Sequence, residues 1–450
     1  SGVPPIRRKP RAPGSNVNRL PLVALAVLAL ATVACEETPP TSVDPDVLPP
    51  EPITVEAGLS WDEFGGGLQV FPGFGSASDL GSGVLAEDFE GVLDARTLGR
   101  FAAFPRTITV RDSTGGTRAD SLPIFRAGRV GVVLDPEAST NQEPVTVTLG
   151  ALSQVWDPAS TTWERAVDTI GDARPWGEPG AGSARPLGEM VWDPAENDTV
   201  YFPVDSAQLA EWRDTTALDQ GIVVGVETPG ERIQVQRILL SLDVESTLDP
   251  DTVVSSTVTR RDLTFIYSPV PEPPPDGIRI GGTPSWRTVL QVRAPETLTG
   301  PPALCERVGC PVAVDPDQIN YAALVFRTRA GPPAFQPTDT VNLDVRPVLA
   351  PEVLPKSPLG ASLTGSVGRR VGPNLFAEGE GAEIEIPVTE FIQDQLRGET
   401  ATGENAPVYV ALLSTFEPLS IAFASFHGPG SELEPRLKII LTTGATVELP

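Results

Sequence analysis

The chain has 450 residues, of which 59 are acidic, 33 are Lys or Arg and one is His, giving a formal net charge of −26 at pH 7. A field of that sign repels nucleic acid and anionic lipid surfaces, so nucleic acid is excluded as a partner. Hydrophobic residues make up 40% of the chain, which excludes a chain that is disordered throughout. Because the length exceeds what a single core fills, we expect two domains.

The first 34 residues form a basic and then an apolar segment. All five charged residues in it are Lys or Arg, and an uncharged run follows from residue 20 to residue 34. That run makes about 22 Å of helix, which is short of the ~30 Å hydrocarbon core of a membrane. A basic region, an apolar region and small residues before a cleavage point are typical of a secretory signal. The sequence therefore predicts a signal helix over residues 1–34.

Cys35 directly follows three small residues, Thr32, Val33 and Ala34. This ending resembles the bacterial lipobox, in which the cysteine becomes the lipidated first residue of the mature protein. The resemblance implies a membrane anchor at Cys35, and Glu36 in place of Asp implies sorting to the outer membrane. An ordinary signal peptide followed by an unmodified cysteine is the alternative.

Two proline-rich stretches divide the rest of the chain. Residues 35–52 are acidic and rich in proline, which predicts an extended tether. Residues 269–276 (PVPEPPPD) form a linker, since such a run excludes a helix or a central strand. The expected domains are therefore residues 53–268 and residues 277–450.

The two expected domains look like diverged copies. In each, an alternating strand ends in Pro-Val and meets a helix start, at residues 199–212 and 382–396. Asp205 with Gln208 resembles a capping box, Thr389 is the corresponding predicted cap, and Gly398 suits the end of the second helix. Further strands are predicted at 130–134, 221–226, 263–267, 321–326, 408–413 and 437–441. The pattern predicts an all-β fold of two tandem β-sandwich, jelly-roll-like domains with short helices.

At these residues the chain resembles the DNRLRE-type domain, a β-sandwich module of exported bacterial and archaeal proteins. The matching residues are Trp156, Asp157, Thr162, Trp163, Val204, Asp205, Trp212, Gly221 and Ile222 in the first domain, and Pro435, Arg436 and Leu437 in the second. The resemblance implies a β-sandwich fold, an extracellular location and an association with polysaccharide-active or surface-layer proteins. It supplies no catalytic residues.

Cys305 and Cys310 lie in the segment CERVGC. In an exported protein they are expected to form a disulfide, with two reduced thiols as the alternative. The single histidine, His427, precedes the predicted last strand and is interpreted as a loop residue. The sequence has no G-x-S-x-G, H-E-x-x-H or P-loop motif.

Two kinds of acidic motif are candidate ligand sites. Trp-Asp pairs suggest an aromatic platform for a sugar ring at Trp61, Trp156, Asp157, Trp192 and Asp193, although alternating strands would equally bury these tryptophans in the core. Asp-Pro-Asp turns offer hard oxygen ligands of the kind that Ca²⁺ prefers, at Asp249, Asp251, Asp315 and Asp317. Proline-fixed surface turns explain the same residues without an ion. No other cofactor is expected.

The sequence leads to a hypothesis of a non-enzymatic envelope lipoprotein, anchored through its lipid, that binds polysaccharide or an envelope protein. Linked duplicate domains would raise avidity for a repetitive polymer. The alternative is a polysaccharide-degrading enzyme, or an accessory part of one, that uses an acidic pair. A purely structural role is a third hypothesis.

Overall fold

A computed structural model describes residues 52–443, except residues 112–114, 215–219, 250, 274, 301, 303–304 and 307–308. The predicted signal helix, Cys35 and the tether up to residue 51 lie outside the described residues. The fold is all-β, with large antiparallel sheets and a few short helices, as the sequence predicts. In the described part of the chain, no helix combines the length and hydropathy needed to cross a membrane.

The strands up to the linker carry alternating or continuous runs of Val, Ile and Leu. They are β1 (Ile53–Leu59), β2 (Gly65–Phe74), β3 (Gly83–Phe89), β4 (Leu93–Phe101), β5 (Ile108–Arg111), β6 (Thr117–Asp120), β7 (Ile124–Asp135), β8 (Val145–Leu152), β9 (Arg165–Thr169), β10 (Asp172–Pro175), β11 (Arg185–Trp192), β12 (Thr199–Asp205), β13 (Gly221–Val226), β14 (Arg232–Glu245) and β15 (Val253–Ser268). The helices of this part are α1 (Trp61–Phe64), α2 (Ala77–Leu80) and α3 (Ser206–Arg213).

The strands after the linker are β16 (Gly277–Gly281), β17 (Ser285–Val292), β18 (Thr297–Leu298), β19 (Val312–Ala313), β20 (Ile319–Arg329), β21 (Val341–Pro347), β22 (Arg369–Val371), β23 (Glu383–Pro387), β24 (Tyr409–Ser414), β25 (Phe423–His427) and β26 (Arg436–Thr443). One longer helix, α4 (Thr389–Arg397), follows β23. Each strand predicted from the sequence overlaps one of these elements, and Gly221–Val226 matches β13 at both ends.

Two large antiparallel sheets organise the described residues. The nine-stranded sheet has the order β11-β8-β13-β4-β15-β14-β7-β12, and β3 pairs with both β14 and β4. The eleven-stranded sheet has the order β1-β26-β20-β25-β16-β17-β24-β21-β22, with β2 on β17 and β23 on β20. Proline lies on both edge strands of the first sheet, Pro186 on β11 and Pro203 on β12, where a missing N–H is tolerated.

The two sheets repeat the same local topology. Four strands of the first sheet lie in the order β11-β8-β13-β4, and four strands of the second lie in the order β22-β21-β24-β17. When the four strands of each set are numbered in the order in which they occur along the chain, both sets read 3-2-4-1 across the sheet. In both sheets, too, the strand before the longer helix pairs with a long central strand, β12 with β7 and β23 with β20. The likeness of the two halves therefore extends to strand order.

The first two strands do not pair with the sheet that follows them in the chain. The sequence predicts residues 53–74 in the domain 53–268, whereas β1 pairs with β26 and β2 pairs with β17. A composition break along the chain does not reveal this exchange, because sheet pairing is decided by long-range hydrogen bonds. We call residues 75–268 the first block, and residues 53–74 with 277–443 the second block.

Each block has its own core, and a third cluster joins them. The first core includes Trp192, Phe202 and Trp212, and the second includes Trp61, Phe64 and Phe326. The joining cluster brings Val84, Phe89, Phe265 and Tyr267 of the first block against Ala334, Phe335, Ile421 and Phe423 of the second. The rings of Phe335 and Phe423 are stacked, with centroids 5.6 Å apart. Apolar burial therefore holds the two blocks together.

Both longer helices begin where the sequence predicts, but only one uses the predicted cap. The carboxylate of Asp205 accepts a 2.8 Å hydrogen bond from the Gln208 N–H, which satisfies a free donor of the first turn. Thr389 is instead the first helical residue. Its hydroxyl oxygen does not cap the helix but accepts a 2.9 Å hydrogen bond from the Ala322 N–H of β20. Gly398 ends α4 with a φ of 81°, as predicted.

Candidate functional site

The three tryptophans predicted as a sugar platform are buried. Trp61 packs edge-to-face on Phe64 in the second core, with ring centroids 5.3 Å apart. Trp192 is fully buried in the first core and donates a 2.9 Å hydrogen bond to the Asn197 carbonyl. Their burial agrees with the second interpretation given above, that these tryptophans pack in the protein interior, where an indole gains more by excluding water than by facing it. In this structure they form no platform for a sugar ring.

Trp156 is buried for a different reason. Residues 153–184 fold over the outer face of the nine-stranded sheet, where Trp156 and Trp176 cover Leu98, Val223 and Ile266. The guanidinium of Arg100 lies over the Trp156 ring, with Cζ 4.0 Å from the centroid. Trp156 and Trp176 therefore hold residues 153–184 on the sheet.

The aspartates beside two of these tryptophans serve turns. Asp193 accepts a 2.9 Å hydrogen bond from the Ala195 N–H through its side chain, in the tight turn between β11 and β12. Asp157 accepts the Thr161 N–H at 2.9 Å through its backbone carbonyl. Both aspartates are half-buried, and the tryptophan that precedes each of them is buried rather than exposed.

The Asp-Pro-Asp residues are turn and cap residues in the structure. Asp249 accepts a 2.7 Å hydrogen bond from the Thr252 hydroxyl, and Asp315 accepts the Asp317 N–H at 2.9 Å. Asp317 forms an ion pair with Arg397 at 2.7 Å, and Asp251 is exposed. Among the described residues, no three carboxylate, histidine or cysteine side chains group as metal ligands would. The structure therefore does not bring these four residues together.

Cys305 and Cys310 form a disulfide with an S–S distance of 2.01 Å and their Cα atoms 4.9 Å apart. His427 ends β25 opposite Gly277 of β16, so it lies at a strand end rather than in a free loop. Burial lowers the pKa of His427, Arg329 lowers it further and Asp276 opposes them. Within the described residues, no serine hydroxyl is hydrogen-bonded to its ring.

A cavity of about 830 Å³ lies between the two blocks, and we call it the cleft. The first block contributes residues of α2 and β3, the loop 135–140, the start of β14 and Phe265 of β15. The second block contributes the end of β16, residues 337–341, Ser414 and residues between 419 and 424. Its volume lies in the range of small-molecule sites, which bury most of a ligand's surface.

The floor of the cleft is apolar. Val84, Phe265 and Ile421 come from the cluster that joins the blocks and keep a small exposed surface. Ile280 and Ala424 belong to the second core and are fully buried, so they shape the floor without facing a ligand. Because two blocks supply this floor, the shape of the cleft depends on how the joining cluster packs. An apolar floor of this kind suits the carbon face of a ligand.

One wall of the cleft is a rigid polar loop. The Asp135 carboxylate accepts hydrogen bonds from the Gln236 side chain at 3.0 Å and from the N–H groups of Glu137 and Ala138 at 3.0 and 3.1 Å. The Gln236 bond is the largest of the causes that lower the pKa of Asp135. Ser139 and Thr140 are bound in turn to the backbone of β14. The loop is therefore fixed before any ligand arrives.

Several polar side chains of the cleft are not used by the protein itself. Arg232 and Gln234 lie at alternate positions of β14 and so share one side of the strand. Within the described residues, the side-chain amide of Gln234 has no hydrogen-bond partner, and neither do the hydroxyls of Thr338 and Thr340. The Ser414 hydroxyl is buried with no partner among the described groups. The side chains of Arg232, Gln234, Thr338 and Thr340 are at least partly exposed and are available to a ligand that carries donors and acceptors, whereas Ser414 is fully buried.

Sequence reasoning missed this site. Its lining comes from at least five separated segments, so no local motif marks it. Polar residues at positions 232 and 234 are ordinary for a strand with one face exposed to solvent. Only the strand pairing in the folded protein shows that this face is directed towards the second block. The one signal within the chain is the alternation of Arg, Gln and Gln with Ile and Val in RIQVQ.

A second, smaller groove of about 420 Å³ lies along β4, β8 and β13. It includes Glu87, Arg96, Glu189 and Glu227. Burial raises the pKa of Glu87, the neighbouring Asp94 carboxylate raises it further, and Arg96 opposes them. The groove thus places an acid that is harder to ionise than usual beside other acids.

The comparisons with known proteins add little. No family model matches the chain, and no curated protein matches it. Among solved structures, a Macrobrachium rosenbergii nodavirus chain is 10% identical with a TM-score of 0.14, the alignment covering 96% of this chain and 97% of that one. A chain named BspA_C_WT is 9% identical with a TM-score of 0.13, covering 81% and 91%. A chain of infectious bursal disease virus Gt strain is 9% identical with a TM-score of 0.10, covering 89% and 73%. Likenesses this weak carry no argument about fold or function.

Proposed function

We propose that the protein is an envelope-anchored, non-enzymatic binding protein that takes a saccharide in the cleft between its two blocks. The observation that carries this proposal is the set of unused polar side chains above an apolar floor, in a cavity of about 830 Å³. A sugar presents hydroxyl groups at its edges and a carbon face, which match these two kinds of surface. The proposed glycan site thus moves from the buried tryptophans to the cleft.

The envelope location is proposed from the sequence. The basic and apolar leader ends at Cys35, and lipidation there would supply the anchor. The disulfide between Cys305 and Cys310 supports an oxidising compartment, since such bonds persist outside the cytosol. The acidic, proline-rich residues 36–52 would then act as a spacer between the anchor and the sheets.

The test is saccharide binding by the purified protein, by retention on insoluble polysaccharides and by titration calorimetry with soluble oligosaccharides. Ala138 is an exposed residue of the cleft lining, so Ala138→Trp would fill part of the cavity without replacing a buried side chain. Ala159 is exposed in a turn outside the cleft lining, and Ala159→Trp is the matched control. We expect binding by the native protein and by Ala159→Trp, and at least a tenfold loss, about 1.4 kcal/mol, in Ala138→Trp.

Two results would contradict the proposal. If no saccharide binds, the cleft is not a glycan site, and an envelope scaffold with a protein partner becomes the better account. If a saccharide binds equally to both tryptophan variants, the ligand lies elsewhere. Retained binding with a loss confined to Ala138→Trp would support the cleft.

Hydrolysis by an acidic pair is the second candidate function, and the grouping of Glu87, Glu189 and Glu227 along one groove favours it. Glu87 would be the acid of the pair, since burial and Asp94 raise its pKa, and Glu227 offers the second carboxylate. In that case Glu87→Gln would abolish release of reducing ends from a polysaccharide while leaving binding intact. Unchanged turnover in Glu87→Gln, or no turnover in the native protein, would remove this candidate.

A further inference from the structure

Arg232 is the only cationic side chain among the residues that line the cleft in the described part of the chain. It is the first residue of β14, and its backbone is held to Thr140 by hydrogen bonds of 2.9 and 3.0 Å. Its guanidinium carbon lies 5.4 Å from the Phe89 ring centroid. The side chain is half-buried, and the two backbone hydrogen bonds fix the position of its Cα atom.

Within the described residues, no carboxylate forms an ion pair with Arg232. Burial alone lowers the pKa of this guanidinium, with no nearby acid acting in the opposite direction. Arginines elsewhere in the described chain do find acids, such as Arg287 with Glu417 at 2.5 Å and Arg126 with Glu245 at 2.6 Å. Arg279 also lacks an acid, but its guanidinium donates to the Pro271 carbonyl. Within the described residues the Arg232 guanidinium has no hydrogen-bond acceptor of either kind, although it is partly buried.

The acid next to Arg232 in the chain and the acid on the paired strand β7 are held by other donors. Glu231 accepts a 2.5 Å hydrogen bond from the Thr140 hydroxyl, and three donors hold the Asp135 carboxylate. Glu137 and Asp339, which also line the cleft, are exposed. The fork of donors on Arg232 is therefore left for a group that enters from solution.

We propose that the cleft selects a saccharide that carries a carboxylate, a uronate, and that Arg232 binds this carboxylate. The net charge of −26 opposes a long polyanion, but salt screens the charges outside the cleft, and the contact with Arg232 acts at short range on a short oligomer. A guanidinium matches the two oxygens of a carboxylate with a pair of parallel hydrogen bonds, and the bond is strengthened in a site that excludes water. Gln234, two residues along the same strand face, would bind an adjacent hydroxyl. This inference rests on the proposed function, because it names the class of saccharide for the same cleft.

The experiment compares two probes of the same length in titration calorimetry with the full chain. One is an oligogalacturonate, and the other is the same oligomer with its carboxyl groups reduced to hydroxymethyl groups. Arg232→Gln removes the charge but keeps a donor, and Arg232→Lys keeps the charge but removes the fork. Arg237→Gln is the matched control, since Arg237 is an exposed residue of the same strand outside the cleft lining.

We expect the native protein and Arg237→Gln to prefer the oligogalacturonate by about tenfold or more, as one charged hydrogen-bonded pair would give. Arg232→Gln should bind both probes equally, at the affinity that the native protein has for the reduced oligomer. Arg232→Lys should retain part of the preference. The comparison of the two probes on native protein does not depend on how well a variant folds.

Each other outcome has a definite meaning. Equal binding of both probes by the native protein would overturn the uronate inference and leave saccharide binding in the cleft intact. A preference for the oligogalacturonate that survives in Arg232→Gln would overturn the role of Arg232. Binding of neither probe, together with no binding of any other saccharide, would overturn the proposed function and this inference together.

Discussion

Arg279 donates a 2.6 Å hydrogen bond from Nη1 to the Pro271 carbonyl, which ties a buried strand of the second block to the proline-rich linker. The side chain is buried on β16, and its guanidinium carbon lies 4.0 Å from the Phe423 ring centroid. Burial lowers the pKa of Arg279 to about 10, so the group is still charged at pH 7. The linker is therefore a fixed part of the structure next to the cluster that joins the blocks.

Replacing this arginine should destabilise the protein. Arg279→Leu would leave the Pro271 carbonyl without its donor and remove the cation from the Phe423 ring, at a cost of about 2 kcal/mol. The measurement is urea-induced unfolding at pH 7. Arg436 is an exposed arginine of β26, and Arg436→Leu should change the free energy of unfolding by less than about 0.5 kcal/mol. Equal effects of the two variants would show that the linker contact contributes nothing.

The stability of the first block should depend on pH through Asp120. The pKa of Asp120 is lowered from 3.8 to about 2, mainly by the Leu122 N–H, with Ser246 and Thr247 adding further hydrogen bonds. Because the folded protein binds this proton less tightly than the unfolded chain, the stabilisation is fully present above pH 4 and is lost as the pH falls towards 2.

The measurement is the unfolding midpoint between pH 5 and pH 2. Asp120→Asn should be less stable than the native protein at pH 5 and should lose part of the native pH dependence. Asp243→Asn, at an exposed position of β14, should keep the native pH profile. An Asp120→Asn profile parallel to the native one would contradict the assignment.

The buried tryptophans should matter for stability and not for binding. Trp192→Phe would lose the hydrogen bond to the Asn197 carbonyl and leave space in the first core, at a cost of about 1–2 kcal/mol. Thermal unfolding and saccharide titration of the same variant separate the two roles. A loss of affinity at unchanged stability would restore Trp192 as a ligand residue.

Membrane attachment should depend on Cys35. Cys35→Ser would remove the lipidation site, so we expect the protein to move from the membrane fraction to the soluble fraction after cell disruption. Labelling with radioactive palmitate checks the modification directly, and the native protein should be labelled. Membrane association of Cys35→Ser equal to that of the native protein would contradict a lipid anchor at this residue.

Local patterns predicted the elements of this fold well. Alternating or continuous apolar runs gave strands such as Gly221–Val226, and Gly398 gave the end of α4, because backbone preference alone decides such positions. Thr389 is a position at which local patterns did not predict the contact that the side chain makes. Its hydroxyl oxygen accepts a hydrogen bond from the Ala322 N–H of β20, and no pattern along the chain reports that contact between a helix and a strand.

The candidate site could not be predicted for a related reason. The Trp-Asp pairs at Trp61 and Trp192 have the composition of a sugar platform, yet both indoles are buried. Strand register turns Trp192 of β11 into the first core, and Trp61 is buried because helix α1 packs into the second core. Arg232 and Ser414 are ordinary residues in the sequence and become notable only when two blocks face each other across the cleft. The candidate site is therefore a product of long-range pairing, which no local pattern reports.

The pairing of β1 with β26 has a consequence for how the protein is made. Ile53 lies opposite Thr443, so a strand near the beginning of the chain is hydrogen-bonded only to one synthesised almost 400 residues later. Until residue 443 has left the ribosome, or the export channel if the protein is secreted, β1 has no partner and the Trp61 side chain next to it lacks part of its core. The second sheet therefore gains its β1–β26 pair only after residue 443 has been made, while the nine-stranded sheet already has all its strands by residue 268.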